Sequence, residues 1–129
     1  TPDQPLPERL LCIRREMEAL LARFQPEQIA FEELFFAKNV TTALTVGAAR
    51  GVAIAACAAY TDRLYEYTPM QVKQAMVGYG KAEKRQIQEM VRLLLRMDAI
   101  AKPDDAADAL AIALTHAATG AMCSQFIMK

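Results

Sequence analysis

Gln28-Ile29-Ala30-Phe31-Glu32-Glu33-Leu34 holds a short apolar run, Ile29 to Phe31, closed by the acids Glu32 and Glu33. Its near-continuous apolar start reads as a strand in a sheet covered by helices, since a strand buried on both faces needs no polar alternation. Upstream, Leu10, Ile13, Met17, Leu20, Leu21 and Phe24 recur at three- and four-residue steps. That spacing predicts an amphipathic helix, with Pro7 in its first turn and Gln25-Pro26 as its stop. Downstream, residues 41 to 60 read as a helix rich in small residues, among them Gly47, Ala48, Gly51, Ala55 and Ala59. Glycine in a helix costs about 1 kcal/mol relative to alanine, so two of them predict close packing on a neighbour.

Leu64 to Tyr67 reads as a second strand, ended by Thr68 and by Pro69, which opens the next helix. Gly78-Tyr79-Gly80 is a turn. Lys81 to Met97 then reads as a helix burying Ile87, Met90, Val91, Leu94 and Leu95. Pro103-Asp104-Asp105 starts a last helix that runs to about Ala118, and 121 to 129 carry no pattern that assigns an element. Strands alternating with helices make this an α/β chain, read as one domain over 1–129.

Composition sets outer limits. A chain of 129 residues, 53% apolar and 23% charged, suits one globular core, burying roughly 60% or more of its unfolded surface. No run reads as the ~18 apolar residues of a membrane span, and the N-terminus lacks a basic stretch followed by an apolar one, so the expectation is a cytoplasmic protein without a membrane partner. Cys12, Cys57 and Cys123 are widely spaced without a Cys-x-x-Cys pair and read as reduced, mostly buried thiols. Net charge is zero. Between Met70 and Lys102, however, Lys73, Lys81, Lys84, Arg85, Arg92, Arg96 and Lys102 face only Glu83, Glu89 and Asp98. Such a segment is either a solvated face or a phosphate track whose binding weakens with salt.

The candidate chemistry lies in Glu32, at a strand end, and in Asp105 and Asp108, set three apart near a helix start. Residues three apart on a helix share a face at about 5–6 Å between Cβ atoms. Magnesium takes oxygen ligands at about 2.0–2.1 Å and is held by a few carboxylates plus substrate phosphates. Two such ions roughly 4 Å apart activate water and stabilise the leaving oxygen of an in-line displacement. Asp104 and Asp105 after Pro103 also fit ordinary helix-start residues. Asp108, among alanines and Leu110, fits that reading less well. His116 lies eight residues beyond Asp108, about 12 Å along the helix at 1.5 Å per residue, too far to share an ion. It reads as structural or surface. No Ser-His or Cys-His arrangement is legible, and Gly78-Tyr79-Gly80-Lys81 lacks the spacing of a nucleotide-binding loop.

In order and spacing, Ala30-Phe31-Glu32-Glu33-Leu34-Phe35-Phe36-Ala37-Lys38-Asn39, Gly47-Ala48-Ala49-Arg50-Gly51-Val52-Ala53, Gln71-Val72-Lys73-Gln74, Gly78-Tyr79-Gly80-Lys81-Ala82-Glu83-Lys84 and Asp105-Ala106-Ala107-Asp108-Ala109-Leu110-Ala111-Ile112-Ala113 resemble the RuvC family of bacterial Holliday-junction resolvases. Five motifs in sequence carry more weight than any one of them. The resemblance implies an RNase H-like α/β fold with a central mixed sheet flanked by helices. It implies Mg²⁺-dependent paired nicking of a four-way DNA junction by a homodimer, with Mn²⁺ as a substitute ion and a branch-migration helicase complex as partner.

Glu32, Asp105 and Asp108 would then be three of four acidic metal ligands, and Lys73 and Lys84 lysines near the DNA backbone at the active site. Phe35 would stack on an opened base, although before the resemblance is counted it reads equally as a core phenylalanine. Lys81 and Arg85 complete the expected DNA-binding set. The fourth ligand of the family belongs to an Ile-Asp-Pro-Gly-type motif on a first strand, which this sequence lacks. The reading is therefore of a domain truncated at its N-terminus, with the first strands absent and cleavage weak or lost. The alternatives are a catalytically deficient fragment that binds branched DNA or dimerises, and a related nuclease acting on another structured nucleic acid.

Overall fold

The computed structural model describes residues 4–33 and 40–129, apart from the side chains at 40, 41 and 121. Within what the sequence reads as one domain lie two compact units, divided between Ile29 and Ala30 and between Leu64 and Tyr65.

The first unit holds α1 (Leu6–Phe24) and α2 (Val40–Tyr60), packed on each other. Pro7 lies in the first turn of α1, and Gln25 ends the helix in a left-handed conformation at φ 46°. Leu21 and Cys57 are its buried side chains. Arg14, Glu18, Leu21, Val52, Ala55 and Ala56 line a groove of about 660 Å³ between the helices. Two expectations fail here. A Cβ on Gly47 or Gly51 would meet nothing within 4 Å, so among the described residues no neighbour uses the space, because α1 packs on the Val52, Ala55 and Ala59 side. The run Thr42–Tyr60 also proves long and apolar enough, by length and composition, to cross a membrane, with mean hydropathy 1.5 despite Arg50. Its many alanines, with Leu44, Val46, Val52 and Ile54 spread among them, carry that average without an unbroken block of large apolar side chains.

The second unit carries the larger core. β1 (Ile29–Glu32) and β2 (Leu64–Tyr67) run in parallel. The Ile29 N–H donates to the Arg63 carbonyl and the Glu33 N–H to the Tyr67 carbonyl, both partners advancing by four residues. Ile127 adds an antiparallel bridge to Tyr65, which makes the pairing mixed. Three helices follow: α3 (Pro69–Val77), α4 (Lys84–Leu94) and α5 (Asp104–Thr119). α3 starts on a reciprocal cap, in which Thr68 Oγ1 accepts from the Gln71 N–H and the Thr68 N–H donates to Gln71 Oε1.

The helix expected from Lys81 to Met97 is shorter at both ends. Gln86 Oε1 accepts from the Glu83 N–H and fixes the start, leaving Lys81 in the turn. Arg96 takes φ 55° and ends it. Leu94 and Leu95, expected inside, are therefore exposed.

α3, α4 and α5 pack on one another and bury Val72, Met76, Ile87, Val91, Ala111 and Ile112 with Tyr65 and Tyr67 of β2. Fully burying a side chain such as Val91 is worth about 1.5–3 kcal/mol. The segment left unassigned in the sequence is a 3₁₀ helix, Gly120–Phe126, whose Phe126 ring stacks on Tyr67 at 4.8 Å between centroids. All three cysteines are free; Cys57 is buried, but Cys12 is exposed, against the expectation of mostly buried thiols.

Candidate active-site cleft

Glu32 stands at the end of β1, where the strand leaves its last residue beside the first turns of α3 and α5. Lys73 lies one turn into α3, Lys84 opens α4, and Asp108 lies one turn into α5. Glu32, Lys73, Lys84 and Asp108 line one cleft of about 250 Å³, walled by Pro69, Val72, Ile87, Ala111 and Ile112. Two carboxylates and two ammonium groups thus converge over an apolar floor made by the same helices that form the core.

Lys84 Nζ lies 3.8 Å from Asp108 Oδ2 and 3.4 Å from Asp104 Oδ2. Asp108, Asp104 and, more weakly, Asp105 hold its ammonium above the usual lysine range. Gln88 Nε2 donates to Asp104 Oδ1 at 3.3 Å and aims the other oxygen at Lys84. Asp104, read from sequence as a helix-start residue, therefore belongs to the charged rim. Nothing in the sequence ties it to Lys84, because the two lie on different helices with no periodic relation.

The other expected residues are distributed differently. Asp105 is exposed in the first turn of α5 and lies outside the cleft lining, although its charge reaches Lys84. Among the described residues no three His, Cys, Asp or Glu side chains come close enough to hold one ion. What lines the cleft is a pair of carboxylates, a hard oxygen donor set that fits a cation completed by water and phosphate. Lys81 is exposed in the turn before α4. Arg85 borders a separate groove of about 350 Å³ with Glu83, Glu89 and Met90, on the side of α4 away from Lys84. Arg92 is engaged internally, with its guanidinium on Glu89 and the Met97 carbonyl. Phe35 lies outside the described residues.

His116 is structural. Its Nδ1 is 2.5 Å from the Tyr67 hydroxyl, its ring lies 4.5 Å from that of Tyr65, and burial pushes its pKa down.

A family model described as "Crossover junction endodeoxyribonuclease RuvC" matches residues 1–116. The curated relatives include a crossover junction endodeoxyribonuclease RuvC of Finegoldia magna, 60% identical over 86% of this chain and 68% of the relative. That of Alkaliphilus oremlandii is 52% identical over 95% of this chain and 75% of the relative. Among solved structures, Thermus thermophilus RuvC superposes with a TM-score of 0.85 at 41% identity, covering 95% of this chain and 74% of that one. The same protein in complex with a Holliday junction substrate gives 0.83 at 39%, again over 95% and 74%.

Proposed function

Since the chain belongs to the RuvC family of crossover junction endodeoxyribonucleases, with an RNase H-like α/β fold, we propose that the cleft of Glu32 and Asp108 cuts the strands of a four-way DNA junction by Mg²⁺-dependent hydrolysis. The observation that carries this reading is the lining of one cleft by two acids and two lysines drawn from a strand end and three helices. Glu32 and Asp108 would hold the divalent ion, and Asp105 would join from the rim when the ion and a phosphate draw it in. A bound ion of this kind lowers the pKa of its water and neutralises charge on the leaving oxygen.

The chain's own groups do the rest. Lys73 and Lys84 take the non-bridging oxygens of the scissile phosphate, turning it so that attack and departure lie in line. Water adds its oxygen to phosphorus, the P–O bond to the sugar breaks, and the departing oxygen takes up a proton. Val72, Ile87 and Ile112 form an apolar floor that offers a phosphate no competing polar partner, so its contacts fall on the charged rim. Lys81 and Arg85 extend phosphate contact along the DNA arms, and Phe35 stacks on a base freed at the crossover.

Symmetric nicks need two sites on one two-fold axis, so the working form is a homodimer. The face of α2 at Gly47 and Gly51 supports this reading, since a Cβ there would meet no neighbour and another backbone can approach. A branch-migration helicase complex fits as the motor that delivers junctions, and work on chromosomal DNA fits the bacterial cytoplasm. In EDTA the protein should hold a four-way junction at least about tenfold more tightly than a linear duplex of equal length in a gel-shift titration. Equal affinity for both would remove the junction from the proposal.

A further inference from the structure

Lys84 faces a problem that the cleavage reading leaves open. Its ammonium touches the carboxylate of Asp108, which is also the group assigned to the divalent ion. An ammonium and a divalent cation on the same carboxylate repel each other, so each weakens the other's hold. Charge-assisted hydrogen bonds between ammonium and carboxylate run at about 2.7–2.9 Å. Lys84 lies at 3.4 Å from Asp104 and 3.8 Å from Asp108, so it is held by the field of two acids and seated tightly on neither. Its side chain is 55% exposed and that of Asp108 38%, so water can replace either partner. Asp104, steadied by Gln88, offers a second berth one helical turn away from Asp108.

We propose that Lys84 is the resting counter-ion of the cleft, a displaceable occupant of Asp108 that opposes metal binding until a phosphate draws it away. The inference rests on the metal reading of Glu32 and Asp108 and adds an order of events. Without DNA, the ion competes with an ammonium already in place. Once a phosphate enters, Lys84 moves from Asp108 to a non-bridging oxygen, and the carboxylate becomes available. Metal and DNA then bind with positive coupling, because each relieves the same charge conflict.

The test is Mn²⁺ binding to the DNA-free chain at low ionic strength, read by the loss of free-ion electron paramagnetic resonance signal. Lys84→Met should tighten Mn²⁺ by about fivefold, the scale of an exposed ion pair. Lys84→Arg, which keeps the charge, should bind as the parent does. Lys73→Met removes the same charge from the same cleft and should tighten Mn²⁺ less than Lys84→Met. A Lys84→Met protein that binds no tighter than the parent overturns the proposal, as does a Lys73→Met protein that gains as much. Asp108→Asn should weaken Mn²⁺ binding in both the parent and the Lys84→Met background. If it leaves the affinity unchanged, the ion sits elsewhere and the metal reading of the cleft falls together with this one.

Discussion

Glu32, Asp108, Lys73 and Lys84 illustrate how far single residues can be read before a fold is known. Each is ordinary alone: an acid after a strand, an acid on an alanine helix, two lysines in a basic stretch. Their convergence depends on which helices pack together, which periodicity does not encode. The order of five motifs reaches it only through resemblance. Asp104 shows the limit most clearly, since its pairing with Lys84 comes from the crossing of α4 and α5. On the proposal that both lining acids hold the ion, Glu32→Gln should lower the rate of Mg²⁺-dependent nicking by at least about 100-fold, the scale of a misplaced reacting group. Junction affinity in EDTA should stay within about threefold of the parent, since no phosphate contact is lost. A gel shift and a nicking time course on the same preparation check both halves.

At Tyr67 the hydrogen bonds close in one arrangement. Thr119 Oγ1 donates to the His116 carbonyl at 2.7 Å, so its proton is spent. The 3.2 Å contact to Tyr67 is then a bond only if the Tyr67 hydroxyl donates, and the 2.5 Å contact requires His116 Nδ1–H to donate to Tyr67. Nitrogen NMR at neutral pH should find the Nδ1–H tautomer. Burial holds the folded pKa of His116 below the ordinary value of 6.5. The unfolded chain therefore takes up the proton first as pH falls. The stabilisation is complete above about pH 6.5 and is lost as pH drops through the folded pKa. His116→Phe should flatten that loss in denaturant titrations run across the pH range.

Among elements, the ones that folded as their sequence suggests have local signals. α1 has a helical stripe and a proline start, and α3 has Thr68, Pro69 and Gln71 placed for a cap. Thr68→Ala should cost about 1 kcal/mol in urea unfolding, the usual worth of such a cap. α4 is shorter than its apolar pattern because Arg96 turns left-handed, a choice no spacing rule marks in a non-glycine residue. The 3₁₀ segment was illegible for a different reason. Its stability comes from Phe126 on Tyr67 and from the Ile127 bridge to β2, partners about sixty residues away in sequence. Phe126→Ala should release amide protection across 120–127 in hydrogen exchange while the α4 and α5 amides keep theirs.

For the whole molecule, class and family were legible because alternating strands and helices are a global pattern and ordered motifs add up. The two compact units were not, since each break falls inside a strand, at Ile29/Ala30 and Leu64/Tyr65, between two adjacent apolar residues with no turn signal. One cleft, built on Glu32 and Asp108, is proposed to perform divalent-metal hydrolysis on a four-way junction. The most direct measurement maps, at nucleotide resolution, the strands released from a labelled four-way junction in Mg²⁺ by the protein supplied with the family's first-strand acidic motif and by Asp108→Asn of that parent. Nicks are expected symmetrically in opposing strands, absent in EDTA and reduced at least about 100-fold in Asp108→Asn. Cleavage by Asp108→Asn at the parent rate, or nicking that persists in EDTA, would contradict it.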